Sequence, residues 1–286
     1  MTIAVITDSS SQLSDSETRD AGIVVVPLSI IIDGEPLLDG VDIDAAAFYE
    51  RIGEGVQLST SQPSPGDFAS AWTKAREHGA TEIVSVHVGD ELSGTLNSAR
   101  LAAESIGVPV HLIDSKTTSY GLGVLALEVA KRVRATSSTQ GIAEFAERLV
   151  EQISMVFILQ DLRYMMKGGR MRSANVPTGE KDVPVLGGSG GKYQLLGTGR
   201  TVDELVEQMA DSLLAGDHKR HVAIAHAAPD TLVFTERLEA IMHDSDLVVS
   251  VRRYRMGPAI AVHTGPGTAG GFAWPVSVGE PGDGSE

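Results

Sequence analysis

The chain has no cysteine, so disulfides, thiolate catalysis and thiolate metal sites are all excluded. Basic residues are scarce: 23 Lys and Arg face 38 Asp and Glu, for a formal charge of −15. That balance disfavours a nucleic-acid surface, because phosphate binding wants a positive field. It equally disfavours nonspecific docking on anionic lipid. Long apolar runs are missing too. The longest, residues 23–32, is interrupted by Pro27 and Ser29 and is too short to span a bilayer. The N-terminus passes straight into a strand pattern, with neither a charged leader nor an apolar signal core. No repeat of solenoid period is present. These absences predict a soluble, cytoplasmic protein with no nucleic-acid partner and no stable membrane anchor.

What is present is enough apolar residue, 42% of 286, for a large core in one or two domains. Residues 3–6, 23–32, 83–88 and 110–113 read as buried strands. Between them, 44–52, 65–78, 95–105 and 121–134 read as helices, and Ser64 before Pro65 makes an N-terminal cap. The alternation of strand and helix predicts an α/β protein with a mainly parallel sheet covered by helices. A helix over 139–153 leads into a strand at 155–159 and then a short polar helix over 161–169. Residues 183–186 and 192–196 read as paired strands joined by the glycine-rich turn 187–191. Helix 202–214, strand 221–225, helix 230–242 and strand 247–252 complete a second set. The expected division is an N-terminal α/β domain over residues 1–157 and a C-terminal one over 158–278. A polar, glycine-rich disordered tail over 279–286 follows.

Several stretches carry chemistry. Gly257–Gly267 opens with Gly-Pro and closes with Gly-Pro-Gly. It reads as a short apolar helix with His263 and Thr264 in its last turn. A lone histidine in apolar surroundings is more often a satisfied core residue, but the glycine frame favours a site. The strand ends carry small hydroxyl and acidic residues: Thr7-Asp8-Ser9-Ser10, Ser93-Gly94-Thr95, and Asp114-Ser115-Lys116-Thr117. Ligands of open parallel sheets sit at such ends. For Ser9, Ser64 and Ser115, helix capping competes with a ligand role. Ser93-Gly94-Thr95 presents a hydroxyl and free amides together, which suits an anion.

Sharper motifs fail. Gly187-Gly188-Ser189-Gly190-Gly191 matches a hydrolase elbow, yet a strand follows where a helix is needed. It also falls short of a phosphate loop, since Tyr193 stands where a magnesium-binding hydroxyl belongs. His218, His221 and His226 are too loosely spaced for a metal pair. The basic cluster Lys167, Arg170 and Arg172 reads as a solvated face or a surface for an acidic partner. No metal and no cofactor are expected.

Five stretches in order carry a resemblance: Thr7-Asp8-Ser9-Ser10, Thr60-Ser61-Gln62-Pro63-Ser64, Ser93-Gly94-Thr95, the Lys-Gly-Gly-Arg of residues 167–170, and the His-Thr-Gly-Pro-Gly of 263–267. The chain resembles the DegV family of fatty-acid-binding proteins, in bacteria the carrier subunits of a fatty acid kinase. The resemblance implies two α/β domains with mainly parallel sheets and a fatty acid held between them. It implies that Thr60, Ser61, Ser93 and His263 hold the carboxylate, with Gly94 and Thr264 also in the ligand site. Arg200 falls where the family carries an arginine near the mouth, associated with the kinase partner. A separate ATP-using subunit would phosphorylate the bound carboxylate, and the carrier itself would have no catalytic residue. One segment departs from the pattern. Relatives carry a longer helix after Lys-Gly-Gly-Arg, whereas Pro177 and Gly179 forbid one across Arg172–Asp182. Two rival readings stand beside the carrier. One is a lipid esterase or hydrolase with Ser93 as nucleophile and His263 as base, short of a third partner. The other is a scaffold with a vestigial pocket.

Overall fold

The computed structural model describes residues 2–167 and 182–276. In chain order its elements are β1 (Ile3–Asp8), α1 (Asp15–Ala21), β2 (Ile23–Val26), β3 (Ser29–Ile32), β4 (Glu35–Leu38), α2 (Ala45–Arg51), β5 (Leu58–Ser61), α3 (Pro65–Glu77), β6 (Glu82–His87), α4 (Thr95–Ala103), β7 (Val110–Asp114), α5 (Ser119–Thr136) and α6 (Ile142–Gln152). There follow β8 (Ser154–Leu159), α7 (Arg163–Lys167), β9 (Val183–Ser189), β10 (Lys192–Gly199), α8 (Val202–Leu213), β11 (Arg220–His226), α9 (Leu232–Asp244), β12 (Val248–Arg255), α10 (Pro258–Thr264) and β13 (Thr268–Pro275). The Lys-Gly-Gly-Arg motif after Lys167, the cluster members Arg170 and Arg172, the proline- and glycine-containing segment up to residue 181 and the tail from 277 lie outside the described residues.

The first sheet, in the order β2-β1-β6-β7, is parallel throughout. Its strands are apolar on both faces because helices cover both. Ile6 and Ile83 face Phe68 and Trp72 of α3, while Val5, Val84 and Val86 face Leu122, Leu125 and Val129 of α5. The run expected as one strand over 23–32 is two. Pro27 has no N–H to give a ladder, and the chain turns there into the antiparallel sheet β4-β3-β5. Leu28 N–H donates instead to Ser9 Oγ at 3.0 Å.

The second sheet runs β10-β9-β8-β13-β11-β12. The α/β class holds, but the expectation of mainly parallel sheets is corrected here, since β11–β12 is parallel and the other four pairings are antiparallel. The causes are local. Gly190 and Gly191 take left-handed conformations, so a two-residue turn folds β10 straight back on β9. β13 then enters between β8 and β11 against the direction of both. The division expected at 157/158 falls within β8, which pairs with β9 and β13 from Ser154 onward. Helix α5 packs between the two sheets, and the apolar cluster around it takes Val5 and Val84 from one sheet and Ala223 and Phe272 from the other.

Candidate functional site

Between the sheets, at the carboxyl ends of β1 and β6, lies a cavity of about 1030 Å³ counted with its mouth. Its walls are mostly carbon: Met155, Phe157, Met256, Ile260 and Phe272 stand among them. The polar side chains of the lining are hydroxyls, from Ser10, Thr60, Ser93, Thr118, Ser119, Tyr193, Tyr254, Thr264 and Thr268, and one imidazole, His263. No aspartate, glutamate, lysine or arginine is among the lining residues described.

Helix α10 closes one end of this space. Pro258 sits at its first position after the extended Gly257, and Gly265 ends it with φ 81°. A Cβ on Gly265 would lie 2.5 Å from the Tyr164 ring, so glycine also lets α7 pack against α10. Buried Asp39 accepts the Ala259 N–H near the helix start. Burial, helped by the nearby Asp8 charge, pushes the Asp39 carboxyl up to about 7 against the pull of hydrogen bonds from Ser9 and Ala259. Asp8 is buried beneath Ser10 and accepts from Ser10 N–H and hydroxyl, from Val88 N–H and from His87.

The last turn of α10 brings His263 to β5, where its Nε2 lies 2.8 Å from Thr60 Oγ1. Ser61 does not join them. Successive strand residues alternate, so Thr60 is half-buried and Ser61 is exposed on the opposite face. Thr264 lines the cavity, with its hydroxyl donating back to Ile260 O at 3.3 Å. Ser93 lines it as well, its Oγ 2.8 Å from Thr95 Oγ1 and accepting from Thr95 N–H at 3.3 Å. Gly94, the N-cap of α4, is not in the lining. Its part is steric: a Cβ there would meet the Gln62 carboxamide at 2.7 Å. The Gln62 side chain, just past β5, thus lies against the start of α4.

Arg200 stands outside the cavity. Its Nε donates to Asp182 at 2.5 Å and its backbone N–H to Glu204 at 2.7 Å, and the side chain is exposed. The registers align Gly199 with Val183, and Thr268 with Leu159, so Arg200 lies at the same end of the sheet as the Thr264–Thr268 turn. Sequence reasoning missed Ser10, Thr118, Ser119, Tyr193, Tyr254 and Thr268. Ser10 and Thr118 had a signal in the hydroxyl-rich strand ends; Tyr254, inside an ordinary strand, had none. Ser64 is a helix cap, in a reciprocal capping box with Asp67. Ser115 is held in its own turn. Among the described residues no three His, Asp or Glu side chains gather as a metal requires, and no helix is long and apolar enough to cross a membrane.

The chain matches the family described as "Uncharacterised protein, DegV family" over residues 2–276. It is 32% identical to a DegV domain-containing protein of Deinococcus radiodurans, over 97% of this chain and 100% of that one. A Staphylococcus aureus relative is 31% identical, over 93% of this chain and 96% of its own length. Among solved structures, a fatty-acid-binding DegV family protein from Thermus thermophilus superposes with a TM-score of 0.88 at 28% identity, covering 96% of this chain and 100% of the other. A Thermotoga maritima protein whose structure reveals fatty acid binding function superposes with a TM-score of 0.82 at 25% identity, covering 96% and 100%. With a family match from residue 2 to 276 and relatives aligned along nearly their whole length, this chain belongs to the DegV family.

Proposed function

We propose that this chain binds one long-chain fatty acid, its tail in the cavity between the sheets and its carboxylate hydrogen-bonded at Thr60, Ser93, His263 and Thr264. It then presents that carboxylate to a separate, ATP-dependent kinase subunit, which forms the acyl phosphate. The chain does no chemistry of its own and works in the cytoplasm. The observation that carries this reading is the wall chemistry: a large apolar cavity whose polar side chains, among the described residues, are hydroxyls and one imidazole. A nucleotide or sugar phosphate would want cations or a nest of amides. An acyl chain wants carbon, at about 0.8 kcal/mol per buried methylene, or on the order of 10 kcal/mol for a long tail before association costs.

Neutral donors suit the transfer as well as the binding. Hydroxyls pair a carboxylate oxygen less tightly than a bidentate arginine does, which leaves that oxygen able to attack a phosphoryl group. The fatty acid binding of the Thermus thermophilus and Thermotoga maritima proteins supports the ligand class. The esterase reading is disfavoured by geometry. The Ser93 hydroxyl faces Thr95 and His263 Nε2 faces Thr60, whereas a nucleophile and its base must face each other. Titration of the delipidated chain with stearate tests the proposal. Saturable one-to-one binding is expected, and failure to bind any long-chain acid overturns it.

A further inference from the structure

The cavity contains a second polar point, on elements other than those that carry Thr60 and His263. Ser119 opens α5, and Tyr254 lies near the end of β12. Both line the cavity and both are more than nine-tenths buried, at 5% and 9% exposure. Their hydroxyl oxygens are 2.9 Å apart, and the Tyr254 oxygen also accepts the Tyr120 backbone N–H.

Counting hydrogens on this pair gives a surplus. Two hydroxyls carry two hydrogens, and the bond between them uses one. Whichever oxygen donates, the other hydroxyl keeps a hydrogen that no acceptor among the described residues takes up. A buried donor left so costs free energy, and a ligand atom that accepts it recovers that cost. The backbone marks the same place. Ser119 has φ 55°, a left-handed conformation that favours glycine. Strain of this kind, held by the surrounding structure, is found at functional positions.

We infer that Ser119 and Tyr254 form a donor subsite for an oxygen on the acyl chain, so that the preferred ligand is a fatty acid bearing a mid-chain acceptor such as a ketone. This deepens the fatty acid reading above and rests on it. The sign of the effect is diagnostic. In a wholly apolar cavity an added carbonyl loses its hydration without return and weakens binding. Over a surplus donor it gains a hydrogen bond and strengthens binding.

The test is a titration of the delipidated full chain with stearate and with a series of oxo-octadecanoic acids whose ketone steps along the middle of the chain. At one position the oxo acid is expected to bind roughly five- to tenfold more tightly than stearate. The C=O stretch of that acid, labelled with carbon-13, should fall below its value in hexane on binding. Removing one hydroxyl is insufficient, because a single hydroxyl still carries a free hydrogen. Ser119→Gly or Tyr254→Phe alone should therefore keep a preference, and the double variant should lose it while retaining stearate. Glycine at 119 relieves the backbone, so Ser119→Gly should match or exceed the parent in melting temperature.

The inference is overturned if stearate binds and no oxo acid binds more tightly, or if the preference survives in the folded double variant. It is also overturned if the double variant loses stearate itself, which would make the pair a carboxylate site. Should the double variant not fold, an unshifted C=O stretch in the parent overturns it equally. If neither stearate nor any oxo acid binds, the fatty acid reading fails, and this inference falls with it.

Discussion

Thr60 and His263 are 203 positions apart in sequence and 2.8 Å apart in space. Neither is unusual in its own neighbourhood; their meaning comes from being joined over an apolar cavity. Thr60→Val keeps the branched shape on β5 and removes the hydroxyl, so it should weaken fatty acid binding by roughly 1–3 kcal/mol, the cost of a lost bond to a charged group. Its melting temperature should barely move, which a scanning calorimeter and a binding titration on one preparation would show. Asp39 makes a pH prediction. Its carboxyl is raised from 3.8 to about 7 in the fold, so between those values the folded chain keeps a proton that the unfolded chain has lost. Stability from this group is present at acid pH, falls as pH rises through that window and levels off above about 7. Asp39→Asn retains an acceptor for Ala259 N–H and cannot ionise. Urea unfolding at pH 5 and pH 8 should show a smaller difference for the variant than for the parent.

Most elements were legible because their periodicity was clean. The helices α3, α5, α8 and α9 stand where their apolar spacing put them, and the hairpin of β9 and β10 follows from its glycines. Three failures have physical reasons. Pro27 divides what composition alone joins into one apolar run. Strand β5 has the polar sequence of a loop, and it is a strand because β3 pairs with it. Strand β13 contains Gly270 and Gly271, which argue against a strand in isolation. Their reason is tertiary: a Cβ on Gly270 would strike the Val156 carbonyl, and one on Gly271 would lie 2.9 Å from Ala223 O. At this scale the sharpest test is Gly265→Ala. The added carbon meets both a left-handed backbone, φ 81°, and the Tyr164 ring. A loss of roughly 1–3 kcal/mol in stability is expected. Fatty acid affinity should fall with it, as the end of α10 shifts His263 away from Thr60. Unchanged thermal unfolding would contradict this account of the helix end.

Taken whole, the molecule is a parallel sheet and a mixed sheet with α5 packed between them and an apolar cavity at one end. The five ordered motifs pointed to the family, and of the ligand residues that the resemblance assigns, four, Thr60, Ser93, His263 and Thr264, line the cavity. They did not give Ser61 its outward direction, which depends on β5 being a strand. Arg200 belongs to this scale, because it stands at the sheet's rim rather than in the cavity. Arg200→Ala is expected to leave stearate affinity nearly intact while strongly lowering acyl phosphate formation with a partner kinase and ATP. Equal loss of both would put the arginine in the binding site. The central claim is that the cavity holds one long-chain fatty acid, and native mass spectrometry of the purified chain tests it most directly. The account predicts a complex heavier than the chain by the mass of one long-chain fatty acid, released as that acid on organic extraction. A bound nucleotide or sugar phosphate with no lipid would contradict it.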